Sequence, residues 1–281
     1  MNELNLDSNA ARCVETSIKD GVLTIKMNQP KKLNGWTDHM MDAFKKALAK
    51  AADDAETKAV IFTGAGDYYT AGVNFGGGLQ PMSPKNLRKY IIAHNQSLFE
   101  AFLNFPKPIL IAVNGPAIGA GVTSATLCNG IIASEKATFS TPFAALGVPK
   151  EGCSSYHFPR LIGEKNSARI LESEGWKPTG TEAKEVGLVQ WVVPHEKLQE
   201  EAHKIAKSWI DQGVGRTFLA DSAKEDLLAV NSRESIEVAD SILSFTFMST
   251  QAKFLWSKNK TGPSIMFWTI ALLRPLWARF L

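Results

Sequence analysis

Cysteine is scarce in this chain of 281 residues. Its three copies, Cys13, Cys128 and Cys153, are an odd number, lie far apart and form no CxxC pair. A disulfide framework and a zinc site of the usual spacing are thereby excluded, and a reducing compartment is expected. Excess charge of one sign is also missing. The 31 Lys and Arg against 28 Asp and Glu leave +3, spread along the chain. No basic stripe is interleaved with aromatics, so nucleic acid is not an expected partner, while a small anionic ligand is compatible with the balance. Long apolar runs are absent as well. The longest uncharged stretch of the apolar C-terminus, Thr261 to Leu273, ends at Arg274 and Pro275. It falls short of the roughly 18–20 residues a membrane span needs, so a packing helix or subunit contact is expected rather than a membrane contact. The N-terminus, MNELNLDSNAARCVE, carries acids early and no apolar core, which matches neither a secretory signal nor an Arg-rich transit peptide. The closing Arg-Phe-Leu departs from the Ser-Lys-Leu pattern of peroxisomal import.

What is present is ordinary globular composition, 44% hydrophobic and 21% charged, enough for one large domain or one domain with a helical appendage. Strand and helix signals alternate through the first half. GVLTIKMN (21–28) is a β-branched run ending at Gln29-Pro30. From Thr37 to Ala52, Met40, Met41, Phe44, Ala47, Leu48 and Ala51 recur at helical spacing, with Thr37 or Asp38 as the cap. KAVIFTGAG (58–66) and PILIAVNG (108–115) are buried strands ending in glycine turns, with a helix from about Pro84 to Phe105 between them. GIIAS and ATFST are short strands, and NSARILES, TEAKEVG and 195–213 are helical. Apolar, non-alternating strands in this order predict an α/β fold with largely parallel sheet covered by helices. No strand signal survives beyond about 196. The Gly- and Pro-rich loop 72–84 is expected to be mobile.

Two glycine-rich turns invite a ligand: KAVIFTGAGDYYTAGVN (58–74) and PILIAVNGPAIGAGVTSA (108–125). Neither fits GxxxxGK[ST], and the first lacks GxGxxG followed by a helix, so phosphate-loop and dinucleotide readings are weak. Small residues do let backbone N–H groups approach a ligand, and an N–H pair at a helix start can trap an oxyanion. Tight strand–helix packing explains the same residues without any ligand.

VNGPAIGAGVTSA followed by ASEKATFSTPFAALGVPKEG resembles the central signature of the crotonase (enoyl-CoA hydratase/isomerase) superfamily. The resemblance continues upstream through NQPKKLNGW and TGAGDYYTAGVNF and downstream through GTEAKEVGLVQWVVP, covering roughly residues 15 to 205. It implies a ββα spiral core over 1–195 and a C-terminal helical region over 196–281 used in assembly, as a homotrimer or dimer of trimers. It also implies an acyl-CoA thioester substrate, with coenzyme A as part of the substrate and no other cofactor or metal. The thioester oxygen would be held by the backbone N–H groups of Val73 and Ala120. The matching stretches add Lys32, Leu33, Thr70, Ala71, Gly72, Asn74, Gly121 and Phe143 as substrate-binding candidates. A peroxisomal or mitochondrial matrix location follows from the resemblance alone.

The acid–base residues decide the reaction. Hydratases of this superfamily place glutamates where this chain has Thr123 and Phe143, and neither residue is a competent base near neutrality. KEGCSSYHFP (150–159) resembles the stretch carrying the catalytic glutamate of Δ3,Δ2-enoyl-CoA isomerases, so Glu151 is implied as the base. Without the resemblance, a lone Glu is most simply a solvated loop acid. Phe143, Tyr156 and Phe158 are candidate walls of a dry pocket around it. Asn95 matches an asparagine that faces the site in some isomerases, with surface or capping use as its alternative. His94 and His157 lack motif partners and read as satisfied packing histidines, and Lys31 or Lys32 meets either the CoA phosphates or solvent. Hydration, thioester hydrolysis, decarboxylation and non-catalytic acyl-CoA binding are the competing readings.

Overall fold

The computed structural model describes residues 3–74 and 82–281; the tip of the 72–84 loop, over 75–81, lies outside the described residues. After a short N-terminal turn of helix, α1 (Ser8–Ala11), the chain forms a hairpin of β1 (Val14–Lys19) and β2 (Val22–Met27). Asp20 and Gly21 make the hairpin turn, both at positive φ. Helix α2 (Asp38–Asp53) starts where the periodicity places it, with the Thr37 hydroxyl accepting from the Met40 N–H. Then come β3 (Ala59–Gly64), α3 (Pro84–Leu103), β4 (Ile109–Val113), β5 (Ala117–Ile118), α4 (Ala120–Thr126), β6 (Gly130–Ser134) and β7 (Phe139–Ser140). Helices α5 (Phe143–Leu146), α6 (Ser154–Leu171) and α7 (Gly180–Glu185), strand β8 (Trp191–Val193) and helix α8 (Leu198–Asp211) follow. The chain ends in α9 (Lys224–Ile242), α10 (Phe245–Ser257), α11 (Thr261–Leu272) and α12 (Arg274–Trp277).

Six strands form one sheet in the order β1-β2-β3-β4-β6-β8, antiparallel only between β1 and β2, and β5 pairs with β7 in a second, parallel sheet. The central strands are apolar on both faces because both faces are covered. Val60, Phe62, Ile109 and Ile111 face the main core with Trp36, Phe44, Phe99 and Phe102. Ala59, Ile61, Leu110, Ala112 and Ile132 face Leu198, Ala202 and Ala206 of α8. Two outer strands, β1 and β8, escaped the sequence reading. Strand β1 mixes Glu15, Thr16 and Ser17 into its run, and β8, though apolar, is three residues long, so neither presents the extended apolar run that marks a central strand.

Beyond Val193 the described chain is helical. Helix α8 stays on the sheet, α9 packs along α3, and α10 pairs with α11. Trp256, Ile265, Met266, Leu272, Leu273, Leu276 and Phe280 are exposed in this last region. Among the described residues no helix is long and apolar enough to cross a membrane.

Candidate active site

Two segments at the same ends of neighbouring parallel strands build the site's floor. The chain leaving β3 is fastened by two buried asparagines. Asn34 donates to the Ala65 and Tyr68 carbonyls, while Asn114 accepts from the Gly64 N–H and donates to the Gly66 carbonyl. The segment then runs alongside Trp36, which donates to the Gly72 carbonyl at 2.8 Å and accepts from the Asn74 N–H at 3.0 Å. In that parallel bridge the Val73 N–H points away from Trp36, and it has no partner among the described residues.

The second segment follows β4. Ile118 donates to the Thr70 carbonyl, Gly119 to the Ser140 carbonyl, and Gly119 turns the chain at φ +58 into α4. Ala120 is the first residue of that helix, so its N–H has no intrahelical acceptor. The two segments touch through glycine. A Cβ on Gly72 would sit 2.7 Å from the Ile118 carbonyl oxygen, and Gly72 lies at φ +80. Only a residue without a side chain lets the backbones meet there. Val73 follows Gly72 directly and Ala120 lies two residues beyond Ile118, so two N–H groups without a partner among the described residues flank this contact.

The remaining substrate-binding candidates surround this floor in different capacities. The Thr70 hydroxyl donates to the Asn34 carbonyl and accepts from the Gly72 N–H, and its methyl fills the space a Gly121 side chain would need. Ala71 donates to the Leu33 carbonyl. Leu33 and Lys32 are exposed beside it, as is Lys31, on the 3-10 turn Pro30–Lys32. Asn74 is exposed, and Phe143 is buried at the start of α5.

Glu151 is not a solvated acid. It is 7% exposed, and its Oε2 accepts from the Asn95 Nδ2 at 2.7 Å. Gly152 at φ +66 and Cys153 at φ +64 turn the chain sharply after it. A Cβ at 152 would lie 2.5 Å from both Phe99 and the Thr123 hydroxyl. The turn that carries Glu151 is thus seated on the face of α4 one helical turn beyond Ala120. Burial pushes the Glu151 carboxyl up to about 7, the Asn95 hydrogen bond opposes the rise, and the charge of Glu234 adds to it. A carboxylate titrating there is a stronger base than a solvated one, with the ionised form making up about half at neutrality.

Asn95 is on α3 and buried, and on its far side the Ser235 hydroxyl lies 2.9 Å from Oδ1 and 2.7 Å from the Asn231 carbonyl. Capping and surface use are excluded for it. His157 is a satisfied core histidine: one ring nitrogen lies 2.9 Å from the Thr126 carbonyl, the other 3.1 Å from Ser222, and burial depresses its pKa to about 4. His94 stacks on Tyr90 near Asp38. Tyr156 corrects one expectation. Rather than walling the pocket, it donates to Asp226 and lies under the Arg160 guanidinium. Thr123 is fully buried, its hydroxyl near the Ala120 carbonyl.

Glu234 and Ser235, both fully buried on α9, were missed in the sequence. One signal was available. Leu227, Val230, Glu234 and Val238 fall on a single helical stripe, so an acid occupies a core position.

The family model described as enoyl-CoA hydratase/isomerase matches residues 17–253. Enoyl-CoA delta isomerase 2 of Rattus norvegicus is 34% identical over 254 residues, 85% of this chain and 62% of that protein. The chain therefore spans somewhat less than two thirds of that relative's length. The peroxisomal enoyl-CoA delta isomerase 3 of Mus musculus is 31% identical over 86% of this chain and 78% of its own. Among solved structures, an enoyl-CoA hydratase/isomerase of Pseudoalteromonas atlantica superposes with a TM-score of 0.73 at 27% identity, covering 87% of this chain and 97% of that one. The expected crotonase-type α/β core with C-terminal helices is therefore the fold observed, and the chain belongs to the enoyl-CoA hydratase/isomerase family.

Proposed function

We propose that this protein is a Δ3,Δ2-enoyl-CoA isomerase, moving the double bond of a 3-enoyl-CoA to the 2-trans position in the oxidation of unsaturated fatty acids. The observation that carries the proposal is the buried carboxylate of Glu151 on the turn seated against α4. Glu151 is held by Asn95 beside α4, while the residues at the family's hydratase positions, Thr123 and Phe143, have no basic group.

The reaction needs one base and one oxyanion trap. The thioester oxygen accepts from the Val73 and Ala120 N–H groups. Glu151 removes a proton from C2, and the negative charge spreads from the thioester oxygen through the dienolate to C4. The same carboxyl, now protonated, returns the proton to C4 and is ionised again. No water enters the balance. Each aimed donor of this kind typically contributes about 3–4 kcal/mol to stabilising the developing oxyanion. The raised carboxyl pKa narrows the remaining gap to the α-proton. Lys31 and Lys32 are exposed near Leu33 and suit the phosphates of the CoA moiety, the only cofactor-like group the reaction uses.

The exposed apolar residues of α10–α12 support assembly into a homotrimer or dimer of trimers, and the peroxisomal mouse relative supports a peroxisomal or mitochondrial setting. The test of function is a spectrophotometric assay on 3-enoyl-CoA esters of several chain lengths, beside hydration of 2-enoyl-CoA. Conjugation of the double bond with little hydration is expected. Hydration or thioester cleavage as the main activity would overturn the proposal.

A further inference from the structure

We propose that α9 is part of the catalytic apparatus: Glu234 and Ser235, adjacent on that helix, are positioning residues that set the base-bearing turn and the amide bound to the base. The inference rests on the isomerase reading, in which Glu151 moves the proton.

The turn after Glu151 needs outside support. Gly152 and Cys153 are both left-handed, and Cys153 is a non-glycine residue in a conformation that L side chains seldom adopt. Cys153 is also the N-cap of α6 and offers no side-chain cap to that helix. The Glu234 carboxylate supplies the missing acceptor from across the fold. Its Oε2 accepts from the Cys153 N–H at 2.6 Å and its Oε1 from the Ser155 N–H at 2.9 Å. Both oxygens are committed to backbone N–H groups of one turn, so the path of residues 152–155, and with it the aim of Glu151, follows α9.

Ser235 acts on the other side of the base. Its hydroxyl lies 2.9 Å from Asn95 Oδ1 and 2.7 Å from the Asn231 carbonyl, so its one proton is shared between two acceptors, and the bond to Oδ1 leaves Nδ2 as the atom facing Glu151. A flipped amide would present its oxygen to the ionised carboxylate and lose the bond that lowers the Glu151 pKa. Asn231, one turn earlier on α9, donates to the Gln96 carbonyl and ties the same stretch of α3 to the helix.

The two residues act on Glu151 with opposite sign. Glu234 places a second carboxyl near it in a dry site, and its repulsion raises the Glu151 pKa. Ser235 maintains the Asn95 hydrogen bond, which lowers it. The groups facing Glu151 are Asn95 from α3 and Glu234 from α9; Glu234 itself faces the Cys153 thiol and amide, the Ser155 amide and Arg233. No histidine is among them.

The experiment measures kcat/KM against pH on a 3-enoyl-CoA for wild type, Glu234→Gln and Ser235→Ala, with acyl-CoA affinity and circular dichroism in parallel. Glu234→Gln keeps size and removes charge. Its acidic limb should move to lower pH, while kcat falls about tenfold and substrate affinity stays within about twofold. Ser235→Ala should move the limb up, also with a kcat defect. A packing defect alone would lower activity without moving the two limbs in opposite directions. Limbs that coincide with wild type, or that move in the same direction, overturn the inference. If Glu234→Gln does not fold, Ser235→Ala decides alone: an upward shift supports the inference and an unchanged limb overturns it. A wild type inactive on 3-enoyl-CoA would instead count against the isomerase reading itself.

Discussion

Glu151→Gln should lose most of its activity and gain stability relative to wild type as pH rises past neutrality. In the folded protein the Glu151 carboxyl is raised from its ordinary 4.5 to about 7, burial being the largest cause. Between those two values the folded state keeps a proton that the unfolded state has released. Stability therefore falls as pH rises from about 4.5 to 7 and stays at its lower value above. A rise of that size corresponds to about 3 kcal/mol once the group is fully ionised. Glutamine keeps an oxygen for the Asn95 amide and carries no charge, so it escapes the penalty. Its new Nε2 donor has to be buried, at a cost of about 1–3 kcal/mol if unpaired, but that cost does not change with pH. The difference between pH 8 and pH 5 is therefore the informative quantity. It should favour the variant by about 2–3 kcal/mol, or about 5 °C in Tm for a chain of this size. Thermal unfolding of both proteins at the two pH values measures it. A gap that stays constant, or that grows in favour of wild type at pH 8, would refute the reasoning.

Gly72→Ala would drive a Cβ to 2.7 Å from the Ile118 carbonyl at φ +80, so the Val73 N–H must shift; kcat should fall about 10²-fold, with substrate affinity changed far less. Stopped-time kinetics beside a binding titration checks both numbers. Hydration of 2-trans-enoyl-CoA should run at least ~10³-fold below isomerisation, because Thr123 and Phe143 supply neither acid nor base. Its readout is 3-hydroxyacyl-CoA formation followed by a coupled dehydrogenase, and comparable rates would contradict the roles given to positions 123 and 143. Light scattering at micromolar concentration should show a trimer or hexamer, and a monomer would leave the exposed Trp256, Leu272 and Leu276 unexplained.

Much of this was legible in the sequence because it depends on local pattern. The run KAVIFTGAG announces a central strand through apolar residues on both faces, and the spacing of Met40, Phe44, Ala47 and Ala51 announces α2. Glu151, Val73 and Ala120 were reached through motif resemblance, since a free N–H leaves no trace in side-chain identity. The edge strands β1 and β8 were not legible, because β1 mixes Glu15, Thr16 and Ser17 into its run and β8 is only three residues long. Nor was the contribution of α9. The link between Glu234 and Cys153 joins residues far apart in the chain, and nothing local in RESIEVAD shows which backbone N–H groups that acid will meet. Tyr156 was misplaced for a related reason: an aromatic beside the base suggests a wall, but Asp226 and Arg160 across the fold decide where it turns.

The central claim is that Glu151 alone moves the proton. Its most direct test is the rate at which wild type and Glu151→Gln convert a 3-enoyl-CoA into the conjugated 2-trans thioester, with acyl-CoA binding measured in parallel. A positioned base typically contributes about 10²–10⁴-fold, so the variant should lose at least about 10²-fold in kcat while binding acyl-CoA nearly as wild type does. Turnover by Glu151→Gln within about threefold of wild type would contradict the claim, since an effect that small is far below what a base supplies.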